Sequence, residues 1–329
     1  MLLPDDLKNA LESETSGTPP KELAKTVLEL SDRYRNDNLS GGRGFIKTQQ
    51  DAKAYAAFRM PATYAAAYSV LKQVREILTE WQPNTLLDAG AGPGTVMWAA
   101  AEVYKGLKSY TLLEREKSMI QLGKRLAGYS DLKPIHEAKW LEIDLVDTDI
   151  SELDISKHDL VMASYVLGEI NEKQRNDFVK KLWELATGML IIIEPGTPAG
   201  FARIREAREL IIAEGGIIAA PCPHSTNCPI TSGDWCHFSQ RISRSKLHRQ
   251  VKKGELSYED EKFSYIAVSR LEGKQVFGRV IRHPQVRKGF IEFEVCNRNG
   301  IEKKIVTRKN KEQYRLAKNL SWGDIMQYL

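Results

Sequence analysis

The sequence predicts an α/β protein built on a doubly wound, mostly parallel sheet. A short apolar strand at 84–88 runs into a glycine-rich loop and then into a helix. A second strand, 109–114, ends in an acid twenty residues after Gly94. The fifth strand, 188–194, is a continuous apolar run of the kind that a parallel sheet buries on both faces. Strands that alternate with helices in this way bind ligands at their carboxyl ends.

Length and composition favour one domain with extensions. The chain has 329 residues, of which 42% are hydrophobic, and no apolar run is long enough to span a membrane. The first residues, 1–6, are acidic and lack the pattern of a secretory signal or an Arg-rich transit peptide. We therefore expect a cytoplasmic protein, whose reduced cysteines serve metal binding or catalysis rather than disulfides.

Charge is distributed unevenly along the chain. Residues 237–329 hold 21 Lys and Arg against 10 Asp and Glu, a net charge of +11, whereas residues 1–236 carry −6. A basic C-terminal third on a mildly acidic body predicts a polyanion partner, with nucleic acid as the preferred class. The alternative is that these basic residues only keep a surface in water.

The first region, 1–82, is predicted to be helical. Helical patterns cover 5–12, 21–36, 49–59 and 62–81, with a loop at 37–44. Met60-Pro61 interrupts the pattern, since the residue before proline is disfavoured in a helix. Four side chains are spaced to share helix faces: Tyr55, Arg59, Tyr64 and Tyr68. We expect them to pack on the next domain; the alternative is that Arg59 and a tyrosine line a ligand pocket as a lid.

The second region, 83–215, carries the predicted cofactor loop. Gly90, Gly92 and Gly94 follow Asp88 at a strand end and precede a helix at 96–103. Glycines there let the backbone approach a ligand closely. The G-x-G-x-G spacing differs from the dinucleotide pattern G-x-G-x-x-G. It resembles the first motif of the S-adenosylmethionine (SAM)-dependent methyltransferases, which implies a SAM site and a class I methyltransferase sheet.

Three more polar side chains complete the predicted cofactor site. Glu114 ends the second strand, where a carboxylate can accept hydrogen bonds from ribose hydroxyls. Asp144 follows a third strand at 140–143 and is placed to meet the adenine amino group, and Ser164 ends a fourth strand at 157–164. The alternative for both acids is a surface carboxylate at a strand end.

No catalytic residue is predicted. The segment after the fourth strand, Ala163-Ser164-Tyr165-Val166, offers a hydroxyl and a phenol but not the Asn/Asp-Pro-Pro-aromatic clamp of amino-group methyltransferases. Cys222 superficially fits a cytosine-5 methyltransferase nucleophile, yet it lies inside a cysteine cluster, where a ligated thiolate is not free to attack. Methyl transfer by positioning alone remains compatible with the sequence.

The third region, 216–270, holds a cysteine loop. Cys222, Cys228 and Cys236 lie in a Pro- and Gly-punctuated segment, and 59 residues separate them from Cys296, the one remaining cysteine. The set predicts a four-thiolate metal site. The C-x2-C pairs typical of zinc ribbons are missing, so a 4Fe-4S cluster suits the spacing at least as well as zinc. Alternatives are a zinc site in which His224 or His237 replaces a thiolate, and four unrelated buried thiols.

A basic segment follows the loop. No acid occurs between Phe238 and Gly254, and the segment is compatible with a helix that could track phosphates. The predicted nucleic-acid contacts are Arg241, Arg244, Lys246, Arg249, Lys252 and Lys253. A strand at 263–270 is expected to return to the main sheet.

The fourth region, 271–329, is predicted to be a basic β-extension. Residues 278–290 and 291–296 form a hairpin-like pair, and 300–308 adds a strand. Basic residues recur on the pair at Arg279, Arg282, Arg287 and Lys288. Cys296 would clip this extension to the cysteine loop, and 321–329 is expected to be a short helix or a loose end.

These motifs together resemble a known family over nearly the whole chain. The resemblance lies in 59–64, 88–94, 164–169 and 194–198, and most specifically in 221–224 through 234–238 with the distant Cys296. It is to the mitochondrial and bacterial small-ribosomal-subunit methyltransferase-like proteins. That resemblance implies a methyltransferase fold, a 4Fe-4S cluster ligated by Cys222, Cys228, Cys236 and Cys296, and binding to the rRNA of the small subunit during assembly.

Two compatible functions follow from the resemblance. One is a SAM-dependent methyltransferase that acts on ribosomal RNA or a ribosomal protein. The other is a non-catalytic assembly factor that uses the same fold as an RNA-binding scaffold. The glycine loop favours the first, and the missing catalytic clamp with the basic extension favours the second.

Overall fold

The N-terminal region is helical, as predicted. The computed structural model describes residues 3–36, 46–148, 153–231, 233–244 and 257–327. Its first helices are α1 (Asp5–Thr15), α2 (Pro20–Asn36), α3 (Gln49–Phe58) and α4 (Met60–Ile77). A capping box starts α3, in which Thr48 and Asp51 satisfy each other's backbone N–H groups. Pro61 lies in the first turn of α4, which explains the break between α3 and α4. The predicted loop at 37–44 lies outside the described residues.

The central sheet follows an alternation of strands and helices. The elements are β1 (Thr85–Ala89), α5 (Thr95–Val103), β2 (Ser109–Glu114), α6 (Lys117–Ala127), α7 (Lys133–His136), β3 (Lys139–Glu142), β4 (His158–Ser164), α8 (Glu172–Leu185), β5 (Ala186–Pro195), α9 (Pro198–Ala213), β6 (Ile217–Ala220), β7 (Phe238–Ser243) and β8 (Tyr258–Ser269).

Strand order identifies the sheet. The order is β3-β2-β1-β4-β5-β8-β6, and β7 pairs with the first half of β8. Neighbours are parallel from β3 to β5, whereas β8 runs antiparallel between β5 and β6. This is the doubly wound sheet of a class I methyltransferase, so the predicted fold class is confirmed. The predicted return of the chain at 263–270 is also confirmed, because β8 pairs with β5 there.

Helices cover both faces of the sheet. Leu86 packs in a core with residues of α4 and α5, whereas Leu87, its neighbour on β1, packs in a second core with residues of α8 and α9. Such alternation is what a strand buried on both faces requires. The crossover changes face between β1 and β4, which opens a crevice at the carboxyl ends of these two strands. The division into regions at 1–82, 83–215, 216–270 and 271–329 stays a prediction.

A second, antiparallel sheet forms the C-terminal extension. It consists of β9 (Gly278–Val280), β10 (Gln285–Arg287), β11 (Phe290–Asn297), β12 (Gly300–Thr307) and β13 (Ile325–Met326), with helix α10 (Lys311–Ala317) packed on one face. Phe293, Val295 and Met326 lie in its core together with Tyr314 of α10. Among the described residues, no helix combines the length and apolar character needed to cross a membrane.

Two predictions about secondary structure are wrong. The basic segment was expected to be compatible with a helix, but Phe238–Ser243 is a strand, because β8 offers it a ladder in which Arg241 lies opposite Asp260. The rest of that segment, 245–254, lies outside the described residues. The final residues were expected to form a short helix or a loose end, but Ile325 and Met326 pair with the free edge of β9.

Candidate functional site

The glycine loop closes tightly over the crevice. Gly90 has φ +78°, and a Cβ atom there would overlap the side chain of Val166, so both backbone conformation and space exclude a larger residue. Gly94 begins α5 with φ +81°. The loop therefore runs from the end of β1 directly into the N-terminus of a helix, as the sequence predicted.

Glu114 holds the loop from the neighbouring strand. Its carboxylate accepts hydrogen bonds from the N–H of Gly92, at 2.7 Å, and from that of Glu116, at 2.9 Å. Burial raises the pKa of Glu114, and the two N–H groups oppose that rise. The carboxylate thus lies at the glycine loop, where a ribose diol could share it, and its cofactor role stays a prediction.

Two buried polar groups in the crevice lack partners. Asp88 is fully buried, and neither of its carboxylate oxygens has a hydrogen-bond partner among the described residues. Burial raises the pKa of Asp88 to about 8, and the charge of Glu114 adds to the rise. The hydroxyl of Ser164, at the end of the adjacent β4, is buried and unpartnered in the same sense. Buried groups of this kind fit a site that a polar ligand completes.

An acidic rim surrounds one arginine beside the loop. Arg115 contacts carboxylate oxygens of Glu116 at 3.2 Å, Glu169 at 3.3 Å and Asp144 at 4.0 Å. Asp144 also accepts the N–H of Val146 at 2.9 Å, and it lines an open pocket with Arg115, Glu116 and Glu142. Burial raises the pKa of Glu169 to about 8, and Arg115 opposes the rise.

This rim suits a cationic ligand. SAM carries a sulfonium and an ammonium group, and the carboxylates at the crevice outnumber its one arginine. The orphaned Asp88 and Ser164 and the loop geometry likewise fit SAM, which when bound supplies an activated methyl group. Asp88, Glu114 and Ser164 were predicted from the sequence, whereas Arg115 and Glu169 were not. The one sequence feature that could have indicated Arg115 is its position directly after Glu114, the acid at the end of β2.

A polar cluster occupies the space beyond β4 and β5. Arg59, at the α3–α4 break, forms a bidentate ion pair with Glu261 of β8, at 2.7 and 2.9 Å. The phenol of Tyr165 donates to the same carboxylate at 3.0 Å, and the Arg59 guanidinium lies 5.1 Å from the Tyr165 ring centre. Tyr165 has φ +63°, a strained conformation for a tyrosine. Arg59 thus packs on the sheet through Glu261, as expected, and Tyr64 packs in the core. The alternative, that Arg59 and a tyrosine line the cofactor pocket as a lid, stays a prediction.

The fold brings all four cysteines to one pocket. Cys222, Cys228, Cys236 and Cys296 line it together with apolar side chains that include Phe201 and Ile230. Cys296 reaches the pocket from β11 of the extension, so folding closes the sequence gap as predicted. Within the described residues, no three Cys, His, Asp or Glu side chains are grouped as ligands of a single metal ion.

Electrostatic coupling links the four thiols. Burial raises the pKa of Cys236 well above its ordinary value, and charges on the other three cysteines add to the rise. Burial likewise raises the pKa of Cys296 to about 12. Four coupled, soft sulfur donors around one apolar pocket fit the chemistry of a sulfur-ligated centre. Their role as ligands stays a prediction.

Histidines and aromatic rings surround the pocket. His224 is buried, with Nε2 3.7 Å from the Cys296 sulfur, and burial lowers its pKa. His237 instead stacks on Trp235, with ring centres 5.3 Å apart, and meets Trp322 of the extension edge-on at 4.9 Å. Trp235 also donates its indole N–H to the Gly196 carbonyl at 3.0 Å. These aromatic rings therefore join the cysteine loop, the core and the extension.

The predicted nucleic-acid contacts are largely outside the structure. Lys246, Arg249, Lys252 and Lys253 lie outside the described residues. Arg241 forms a bidentate pair with Asp260, and Arg244 pairs with Glu259 at 3.4 Å, so both described members already have acidic partners. Further basic residues lie within 302–318, on β12, on α10 and in the residues that flank them. They are Lys303, Lys304, Arg308, Lys309, Lys311, Arg315 and Lys318.

Comparison with known proteins identifies a family. The family model described as Mitochondrial small ribosomal subunit Rsm22 matches residues 49–327. A human relative, "Ribosome assembly protein METTL17, mitochondrial", is 27% identical over 293 residues, covering 84% of this chain and 62% of that protein. "Rsm22-cox11 tandem protein 2, mitochondrial" from Schizosaccharomyces pombe is 26% identical, covering 93% of this chain and 46% of that protein. The chain thus spans less than two thirds of either relative.

Similar solved structures include a methyltransferase. The magnesium protoporphyrin IX methyltransferase of Synechocystis PCC 6803, solved with bound SAM, is 14% identical and has a TM-score of 0.41. The match covers 82% of this chain and 98% of that chain. The fold assignment rests on the strand order described above rather than on this likeness.

Proposed function

We propose a function that proceeds from the family, since the match over 49–327 shows that this chain belongs to the Rsm22 family. The proposed function is that of an RNA-binding assembly protein of the small ribosomal subunit that keeps a methyltransferase fold. The observation that carries the proposal is the family match over 49–327, which includes the glycine loop, the cysteine loop and the basic extension. The human relative is named a ribosome assembly protein. Both relatives quoted above are mitochondrial by name, and the cytoplasmic location expected from the sequence stays a prediction.

The crevice at the switch point is proposed to bind SAM. Glu114 would accept the ribose hydroxyls, Asp144 would meet the adenine amino group, and Asp88 with Ser164 would complete the polar lining. The loop of Gly90, Gly92 and Gly94 would lie against the ligand. The buried, unpartnered oxygens of Asp88 and the acidic rim around Arg115 support this assignment.

The cysteine pocket is proposed to hold a 4Fe-4S cluster ligated by Cys222, Cys228, Cys236 and Cys296, with zinc as the alternative. The shared pocket and the contribution of Cys296 from a separate sheet support a structural centre. Protein purified anaerobically should contain about four iron and four sulfide per chain and absorb visible light. One equivalent of zinc without sulfide would overturn the cluster and leave the zinc alternative.

In addition to the basic segment predicted from the sequence, the basic residues of β12, α10 and their flanks are proposed to face the RNA. Seven basic and two acidic residues lie within 302–318, and Arg308 and Lys318 both approach the Tyr314 ring, at 5.6 and 5.4 Å. Row-like clusters of this kind contact phosphates and make affinity depend steeply on salt.

Charge reversal on α10 and its flanks tests this surface. The variant changes Lys309, Lys311 and Lys318 to Glu, and the matched control changes Lys105, Lys133 and Lys180, which are also basic but lie on the core. Co-sedimentation with purified small subunits at several salt concentrations is the measurement. The first variant should bind at least about tenfold more weakly and with a shallower salt dependence, while the control binds like wild type. Equal binding by both would contradict the proposal.

Methyl transfer is a second candidate function. The specific observation in its favour is the pair of Tyr165 and Glu261 at the carboxyl ends of β4 and β5, where a methyl acceptor would approach a bound SAM. Incubation with labelled SAM and small subunits from cells that lack this protein measures transfer. Label in rRNA or a ribosomal protein would establish an enzyme. No binding of SAM at millimolar concentration would remove the enzymatic reading and leave the scaffold.

A further inference from the structure

Two arginines are buried beside the four-cysteine pocket. Arg208 of α9 is 3% exposed and lines the pocket itself, and Arg279 of β9 is 2% exposed. Arginine keeps its charge under all ordinary conditions, and a buried charge is costly unless an opposite charge compensates it. Each guanidinium therefore requires an explanation of what balances it.

The hydrogen-bond partners of both arginines are neutral. Arg208 Nη2 donates to the carbonyl oxygens of His224, at 3.1 Å, and Thr226, at 2.5 Å. Arg279 donates from Nε to the Pro221 carbonyl at 2.9 Å. It donates from Nη1 to Gln73 at 2.7 Å and to the Gly323 carbonyl at 2.9 Å. These bonds fix the backbone on both sides of Cys222 without neutralising either charge.

Acidic partners are absent from the part of the chain that the structure describes. No Asp or Glu carboxylate there lies within ion-pair distance of Arg208 or Arg279, although the exposed Arg205 on the same helix has one in Glu209, at 4.0 Å. The groups nearby that can carry negative charge are the cysteines. The positive charges of both arginines act on Cys222 and Cys296, where they oppose the rise in thiol pKa that burial causes.

We propose that Arg208 and Arg279 are the built-in counter-ions of a dianionic four-thiolate centre in the cysteine pocket. This inference rests on the proposed metal centre and adds its charge. Four thiolates around a 4Fe-4S core of charge +2, or around one Zn²⁺, carry a net charge of −2, which two guanidinium groups balance. Four neutral thiols would carry no charge, and a zinc site with histidine in place of one thiolate would carry −1. The two arginines thus select the all-cysteine centre among the alternatives.

The counter-ion role predicts different effects of an arginine substitution on the metal-loaded and the metal-free protein. With the centre present, removal of one arginine leaves a buried negative charge uncompensated, so the centre should be lost more readily. With the centre absent, the same removal takes away a buried positive charge that has no acidic partner among the described residues, so the empty protein should not lose stability. A purely structural arginine would stabilise both states alike.

The experiment compares Arg208→Gln, Arg208→Lys and the exposed control Arg125→Gln, which lies on α6 and not in the lining of the cysteine pocket. The glutamine at 208 keeps an N–H donor for the loop carbonyls, and the lysine keeps the charge. Each protein is purified anaerobically, its metal and sulfide contents are measured, and the rate of metal release to a chelator is followed. Thermal unfolding of the metal-free forms is measured in parallel. We expect Arg208→Gln to release its metal at least about tenfold faster than wild type. The release rates of Arg208→Lys and Arg125→Gln should stay within about twofold of the wild-type rate. Metal-free Arg208→Gln should unfold at no lower temperature than metal-free wild type.

The outcomes distinguish this inference from the proposal on which it rests. Wild-type protein without iron or zinc would overturn the metal centre itself. A loaded Arg208→Gln that releases metal at the wild-type rate would overturn the counter-ion role alone. Equal destabilisation of the loaded and metal-free forms would assign Arg208 to packing and also overturn it. If the centre is a cluster, its reduction potential should shift to more negative values in Arg208→Gln, since reduction adds a further negative charge.

Discussion

Asp88 in the crevice is buried and protonated in a way that a bound ligand would change. Asp88 lies fully buried with no partner for either oxygen among the described residues, next to the carboxylate of Glu114. Its pKa of about 8, raised from 3.8 by burial, means that the folded, ligand-free protein holds a proton there at neutral pH. Unfolding returns the carboxyl to water and releases that proton.

The stability of the ligand-free protein should therefore depend on pH through Asp88. Because the pKa of Asp88 is higher in the folded than in the unfolded protein, protonation of Asp88 contributes to the free energy of unfolding. This contribution is fully present below the unfolded pKa of 3.8 and is lost as the pH rises toward 8. Asp88→Asn cannot titrate. The free energy of unfolding of this variant minus that of wild type should therefore increase by up to about 1.4 kcal/mol for each pH unit between pH 5 and 8. Urea unfolding of both proteins at several pH values measures the difference. Parallel curves for the two proteins would show that Asp88 is ionised when folded.

Some residues of the two candidate sites could be predicted from the sequence alone. The cysteines, the loop glycines and Glu114 are recognisable because their chemistry and spacing are local in the sequence. Arg208 and Arg279 were not recognisable, since their role depends on burial beside a loop brought together by folding. Arg279 even belonged to the residues expected on a basic surface, and the structure buries it.

Elements were predictable where periodicity was strong. The helices of the N-terminal region and strands β1, β2, β4 and β5 have apolar patterns that specify both their type and their buried faces. Strand β7 was not predictable, because its six residues are polar and basic and pair with the acidic start of β8. Likewise β13 exists because β9 presents a free edge, and nothing in the two residues themselves signals a strand.

The pair of Arg59 and Glu261 joins three elements at the carboxyl ends of the sheet. Glu261→Gln keeps a hydrogen-bond acceptor for Tyr165 but removes the charge that Arg59 contacts through two bonds. The variant should unfold about 1–2 kcal/mol more easily, because the glutamate side chain is only 12% exposed. Glu272→Gln, at an exposed position after β8, is the control. Denaturant unfolding measures both, and equal stability of the two variants would contradict a stabilising role for the pair.

At the scale of the whole molecule, Cys296 connects two sheets. It lies on β11 beside β12, and its side chain enters the pocket formed by the loop that follows β6. A centre held by all four cysteines would thus fix the basic extension to the methyltransferase core. The sequence indicated this connection through the isolated position of Cys296, but it could not show that Trp322 and Arg279 of the extension also reach the loop and core.

Replacement of single cysteines should show that connection. Cys296→Ser is expected to destabilise the protein about as much as Cys222→Ser, by at least about 3 kcal/mol in each case, because either change removes a ligand and the binding energy of the centre. Thermal and urea unfolding of anaerobically purified variants measure this. If Cys222→Ser is destabilised and Cys296→Ser is not, Cys296 is not a ligand.

Taken together, the proposals describe a metal centre that holds an RNA-facing sheet on a SAM-binding core of a protein that acts on the small ribosomal subunit. The most direct test is co-sedimentation of wild type and Cys296→Ser with small subunits, with SAM binding to each protein measured by calorimetry. We predict that wild type binds both, whereas Cys296→Ser, confirmed to be metal-free, keeps SAM binding and loses at least about tenfold in affinity for the subunit. A metal-free Cys296→Ser that binds the subunit like wild type would show that the metal centre does not hold the RNA-facing sheet in place.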